Sequence, residues 1–235
     1  SRSEAAMLEA PEFEVLPNLF ADMNSSDWRR RNNALDGLVE LVTAHSSTLA
    51  RGSDRAMAIM DHVGNRLADN NSKVCASAIA ALIAIIPGMR PHLGDVLPTF
   101  LGNLGGNLAS NNRQIYGSAS KALDLLIQNV DGIVMFPSLM HLAKSGSSRV
   151  KAATLNRAID LVPAVYSARP RLITRQALPT ILKLADGAKG DVRVAVHRML
   201  KQMYRFMGDA MIQSVRASRL NSVAKDQVLD AIGVL

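Results

Sequence analysis

The stretch that decides the fold is "NNSKVCASAIAAL", residues 70–82. A polar pair opens it, a lysine follows, and Val74 and Ala78 then stand four positions apart. The same order returns in "NNRQIYGSASKAL", residues 111–123, with Ile115 and Ala119. It returns again in "GSSRVKAATLNRAI", residues 146–159, with Val150 and Thr154, and in "AKGDVRVAVHRML", residues 188–200, with Val192 and Val196. "SSDWRRRNNAL", residues 25–35, joins the set if Arg30 takes the first position and Ala34 the second. The anchors at 30, 74, 115, 150 and 192 are separated by 44, 41, 35 and 42 residues.

A second mark recurs upstream of these anchors. "LPNLF", "LPTFL", "FPSLM" and "LPTIL" place proline at 17, 98, 137 and 179. Three of the four lie 13 residues before their anchors; Pro98 lies 17 before Ile115, as though "GNLGGN", residues 102–107, were an insertion. The second repeat has Asp61 at the matching place. Each unit thus reads as a helix with an early proline, a polar turn, and a second helix with apolar spacing of three and four, as in Ala34, Leu35, Leu38, Leu41 and Val42. "DAMIQSVRA" and "NSVAKDQVLDAIGVL", with Asn221 as N-cap, make a shorter sixth pair. A period near forty predicts an all-α chain, an α-solenoid of about six HEAT-type repeats forming a flat paddle. Residues 1–235 are expected to be a single domain, with 1–8 as a linker remnant.

Composition agrees. Hydrophobic residues make up 48% and aromatics only 4% of the chain, a mix suited to helix-on-helix packing. The single cysteine, Cys75, excludes an internal disulfide and suits a reducing compartment, and its helical setting makes it a small core residue. The longest uncharged apolar run, residues 74–86, is too short to span a bilayer, so no membrane is expected as a partner. Histidines 45, 62, 92, 141 and 197 are scattered, with no HExxH, CxxC or phosphate-loop motif, so neither an enzyme, a metal nor a cofactor is expected.

Charge is unevenly spread. The chain carries +7, yet residues 1–27 carry −5, leaving +12 on residues 28–235. Every expected intra-repeat turn supplies a cation: Arg29 and Arg30 beside Trp28, then Lys73, Arg113, Arg149 with Lys151, and Lys189 with Arg193. A cation in the first turn of a helix opposes the macrodipole at a cost of up to about 1 kcal/mol. Helix stability therefore does not explain the choice; a binding role is favoured over the plainer reading that surface turns of a basic chain are basic. Trp28, the only tryptophan, heads this row with arginines beside it, the pairing most enriched in binding hot spots.

These marks resemble a TOG domain: "DWRRRNNAL" at the first turn, basic later turns, "DVR" at 191–193 and six units in 235 residues. "NNALDGLVELV" and "KALDLLIQNVDG" look most similar to the crescerin type, with the CLASP type next. The resemblance implies a monomeric module, one of several in a longer chain, that binds αβ-tubulin or the microtubule lattice through its turns and regulates microtubule assembly. It implies a cytoplasmic place on the cytoskeleton, and more finely the cilium. By position, Trp28 would meet an apolar surface of tubulin, and Arg29, Arg30, Lys73, Arg113, Arg149 and Arg193 acidic patches, with Lys151 and Lys189 in support. Two departures stand out. The second turn offers no apolar contact beyond Val74, a core position, and Gly102, Gly105 and Gly106 weaken the third first-helix. The alternative is a HEAT-repeat scaffold for an acidic protein or a nucleic acid. One tryptophan and three tyrosines are few for stacking on a nucleic-acid strand.

Overall fold

The computed structural model describes residues 13–49 and 53–234. The expected linker remnant, residues 1–8, lies outside them. Among the described residues there are thirteen α-helices and no β-strand. The first pair is α1 (Leu16–Met23) and α2 (Trp28–Ala44), followed by the short α3 (Ser46–Leu49). The second is α4 (Ser53–Arg66) and α5 (Ser72–Ile85). A 3-10 segment, Pro87–His92, leads to the third, α6 (Leu93–Leu108) and α7 (Arg113–Asn129). The fourth is α8 (Gly132–Ser145) and α9 (Ser148–Ala168). A π-helical segment, Leu172–Ala177, opens the fifth, α10 (Leu178–Ala185) and α11 (Gly190–Met207). The sixth is α12 (Asp209–Ala217) and α13 (Ser222–Ala231). No single helix among them is long and apolar enough to cross a membrane.

The chain divides into two compact units between Asp131 and Gly132. In the first, α2, α5 and α7 pack in sequence, each with its own partner α1, α4 or α6. In the second, α9, α11 and α13 pack in sequence, with α8, α10 and α12 as partners. The anchors explain the register. Val74, Ile115, Val150 and Val192 are each the third residue of their helix and each is buried. Ala224 repeats this in α13. Arg30 holds the same position in α2 but stays exposed and forms an ion pair with Asp22 of α1. Thr154, standing where other repeats have alanine or valine, is fully buried; its hydroxyl donates to the Val150 carbonyl at 2.7 Å, so burial leaves no orphan group.

The glycine-rich stretch is no interruption. Gly102, Gly105 and Gly106 lie inside α6, which runs ten residues past Pro98, whereas α1 and α10 end six past their prolines. Four extra residues make about one more helical turn. Leu101, Leu104 and Leu108 are buried along that turn, and this burial outweighs the low helix propensity of glycine. The π segment sits directly before Pro179. Proline offers no N–H and crowds the carbonyl four residues back, and a widened turn accommodates both effects.

Candidate functional site

The first unit builds its three turns the same way. Asp27, Asn71 and Asn112 are N-caps in extended conformation, and their side chains accept from the backbone N–H of Arg29, Lys73 and Gln114, each at 2.9 Å. Two residues earlier, Ser25, Asp69 and Ser110 accept from the N–H of each cap, at 3.2, 2.9 and 3.2 Å. This double latch turns the chain sharply and leaves Arg29, Lys73 and Arg113 exposed at the helix mouths. None of the three helices carries an acid in its first turn.

Two of these cations converge on one ring. The Arg29 guanidinium lies 5.0 Å from the Trp28 ring centroid, and the Lys73 ammonium 5.1 Å. Trp28 is half-buried as the first residue of α2. Trp28, Arg29 and Lys73 therefore form one cluster across the first two turns, each cation–π contact contributing about 0.5–1 kcal/mol at such a site. Arg30 is exposed beside them but spends charge on Asp22.

Arg31 was no candidate in the sequence, yet it fixes the first turn to the second. Its guanidinium donates twice to the Asp69 carboxylate, both at 2.9 Å, and once to the Ser25 carbonyl at 2.8 Å. Asp69 also accepts from Arg66 at 3.1 Å, and its side chain is 3% exposed. Burial pushes this carboxyl up. The hydrogen bonds from Arg31 and Asn71 and the charges of Arg31 and Arg66 outweigh that and hold it below the ordinary carboxylate range. Behind the second turn, Asn107 donates to the Leu67 carbonyl at 2.8 Å and accepts from the Cys75 thiol at 3.0 Å. Burial, then the Asp69 charge, raises the Cys75 thiol, which sits in the core as a free cysteine.

In the second unit the fourth and fifth turns flank a cleft of about 700 Å³. Lys144, Lys151, Lys183 and Lys189 line it. Lys151 is half-buried; Arg149, Lys189 and Arg193 are exposed. Neither Ser147 nor Lys189 makes a side-chain cap bond. The fourth turn depends on Gly146 instead, where a Cβ would lie 2.6 Å from Val150 Cγ1 and 2.8 Å from the Leu142 carbonyl oxygen. His197, one turn past Arg193, is pushed down by burial and then by the Arg193 and Lys201 charges, with Asp230 opposing. It adds no charge to this edge near neutral pH.

Two further residues belong to the turns of this unit. Val194 and Val223, in the first turns of α11 and α13, are 59% and 64% exposed. A helical wheel would have shown them, because Val194 lies off the face made by Val192, Ala195, Val196 and Met199. The eight cations and the indole named from the sequence thus fall into two groups. Trp28, Arg29, Arg30, Lys73 and Arg113 stand at the turns of the first unit, and Arg149, Lys151, Lys189 and Arg193 at those of the second.

No protein-family model matches the chain. It is 26% identical over 212 residues to the human TOG array regulator of axonemal microtubules protein 1, covering 85% of this chain and 12% of that protein. The chain therefore spans about an eighth of the length of that relative. A solved structure from work on TOG–tubulin binding specificity, microtubule dynamics and mitotic spindle formation matches with a TM-score of 0.70 at 17% identity, over 98% of this chain and 87% of that one. A structure of crescerin, described as using a TOG domain array to regulate microtubules in the primary cilium, matches with a TM-score of 0.69 at 16% identity, over 92% and 88%. Six helix pairs, their register and these likenesses agree: the fold of this chain is that of a TOG domain.

Proposed function

We propose that this chain is a tubulin-binding module that engages αβ-tubulin through its intra-repeat turns and regulates microtubule assembly without catalysis. The observation that carries the reading is the Trp28 cluster: one indole at a helix mouth, with Arg29 and Lys73 both over its ring. An apolar ring bordered by charges suits a partner surface that is apolar at the centre and acidic at the rim. The relative it resembles is named an array and is about eight times longer, so residues 1–235 are read as one TOG unit among several. Avidity between such units raises overall binding without new contacts. A relative named for axonemal microtubules and a structural neighbour described as acting in the primary cilium support a role on microtubules, including ciliary ones. Regulation follows from unequal affinity for two states of tubulin, since a ligand shifts an equilibrium only by its differential binding.

The test is co-elution with purified tubulin on a sizing column. Trp28→Ala removes the hot-spot anchor and should weaken the complex by about 2 kcal/mol, roughly thirtyfold. Arg193→Glu, on the second unit, should weaken it too. Both should keep the far-UV helical signal. Unchanged complexes with both variants reject the reading.

A further inference from the structure

The ends of the helices remote from the turns carry a second surface that the tubulin reading does not use. The 21 residues of α9 carry the chain about 30 Å away from the fourth turn. Tyr166 and Phe206 lie in the last turns of α9 and α11, with ring centroids 6.2 Å apart. Phe206 is 42% exposed. Directly after Tyr166 come Arg169, Arg171 and Arg175, all exposed, around a cleft of about 510 Å³ that Pro170 and Leu172 also line. None of the three has an ion-pair partner among the described residues. Arg205, exposed, adjoins Phe206 and is bonded only to the neutral Gln202, at 3.2 Å. Asp209 is the only carboxylate in segments 166–177 and 202–209. The arginines emerge from and flank the π-helical turn, a distortion often found at functional sites.

We propose that this remote edge is a second docking surface, for an acidic peptide segment that carries one apolar side chain among its carboxylates. Guanidinium groups pair bidentately with carboxylates, and four of them against one acid make a net positive patch. The exposed edge of Phe206 beside Tyr166 receives the apolar side chain, which fixes register where charge alone would not. Two adjacent rings are too few to stack successive bases, and the cations sit in two short segments with no track for a nucleic-acid backbone. A folded partner or a tail bearing such a segment could be held here while the turns are occupied.

The experiment is fluorescence anisotropy of a labelled glutamate-rich peptide with a central leucine, titrated with this chain at low salt. The double variant Arg171→Glu/Arg175→Glu should weaken binding at least tenfold. The milder pair Arg171→Gln/Arg175→Gln should weaken it severalfold, and Phe206→Ser should do the same while leaving the salt dependence intact. Lys121→Glu, an exposed reversal on α7, should change nothing and so reports non-specific charge attraction. Equal affinity for the unmutated chain and the arginine variants, each shown folded by thermal melting, overturns the proposal. So does displacement of the peptide by a single-stranded oligonucleotide at lower concentration than by unlabelled peptide. No tubulin is present, so failure here leaves the turn-edge reading standing, and failure of that reading leaves this one.

Discussion

At the scale of single residues, the first unit depends on a carboxylate. Asp69 is nearly buried, accepts from Arg31, Arg66 and its own turn, and ties two turns 38 residues apart. Replacing it by alanine strands the Arg31 guanidinium in a site where its side chain is 13% exposed, which should cost about 3 kcal/mol. Urea unfolding measures that loss, and Arg31→Met combined with Asp69→Ala should cost less than the two singles added together. The same group leaves a mark in acid. In the unfolded chain it takes a proton near pH ~4; in the folded chain it does so only at lower pH. Its contribution is therefore present in full above that value and fades as pH falls through the folded pKa. Asp69→Asn should shrink the difference in urea midpoint between about pH 5 and pH 3. None of this was legible in the sequence, because a pair of that separation exists only once the turns are side by side. Trp28 was half legible for the same reason. Its neighbour Arg29 is read from the string, while Lys73 reaches the ring only through the packing of α2 on α5.

At the scale of elements, the helix pairs were legible because apolar spacing and burial agree at every anchor from Val74 to Val192. The glycines of α6 were not, because propensity alone argues for a break where three buried leucines hold a helix together. That conflict has a measurable consequence. A Cβ at Gly102 or Gly117 would meet nothing within 4 Å, and both positions are exposed in helix interiors. Gly102→Ala and Gly117→Ala should each raise stability by about 0.5–1 kcal/mol. Gly146 is the opposite case. Its missing Cβ makes room for Val150 and the Leu142 carbonyl in the tight link from α8 to α9. Gly146→Ala should destabilise by about 2 kcal/mol, since the backbone must move to admit it. A melting series of the three variants separates glycines that merely loosen a helix from the one the turn requires.

At the scale of the whole molecule, the excess of positive charge was plain in composition, but its division of labour was not. The +12 on residues 28–235 is spread over turns in both units and over the remote arginines of the second, while a single indole supplies the apolar centre of the first turn. These parts should answer differently to salt. Exposed charges separated by more than about 10 Å are screened at 0.1 M, whereas burial of an aromatic ring is nearly indifferent to ionic strength. If the turns bind an acidic protein, the logarithm of the affinity for tubulin should fall steadily as salt rises. Trp28→Ala should then shift the whole line down and keep its slope. Arg193→Glu or Lys73→Glu should flatten the slope, and most of the loss should appear in the association rate. Lys73 has a second role, because it also lies over the Trp28 ring, so Lys73→Glu should lower the line further than Arg193→Glu does. Stopped-flow association at several salt concentrations reads both quantities at once. A common slope for all four proteins would mean that the turn cations are bystanders and that the ring alone, or another face of the helices, makes the contact.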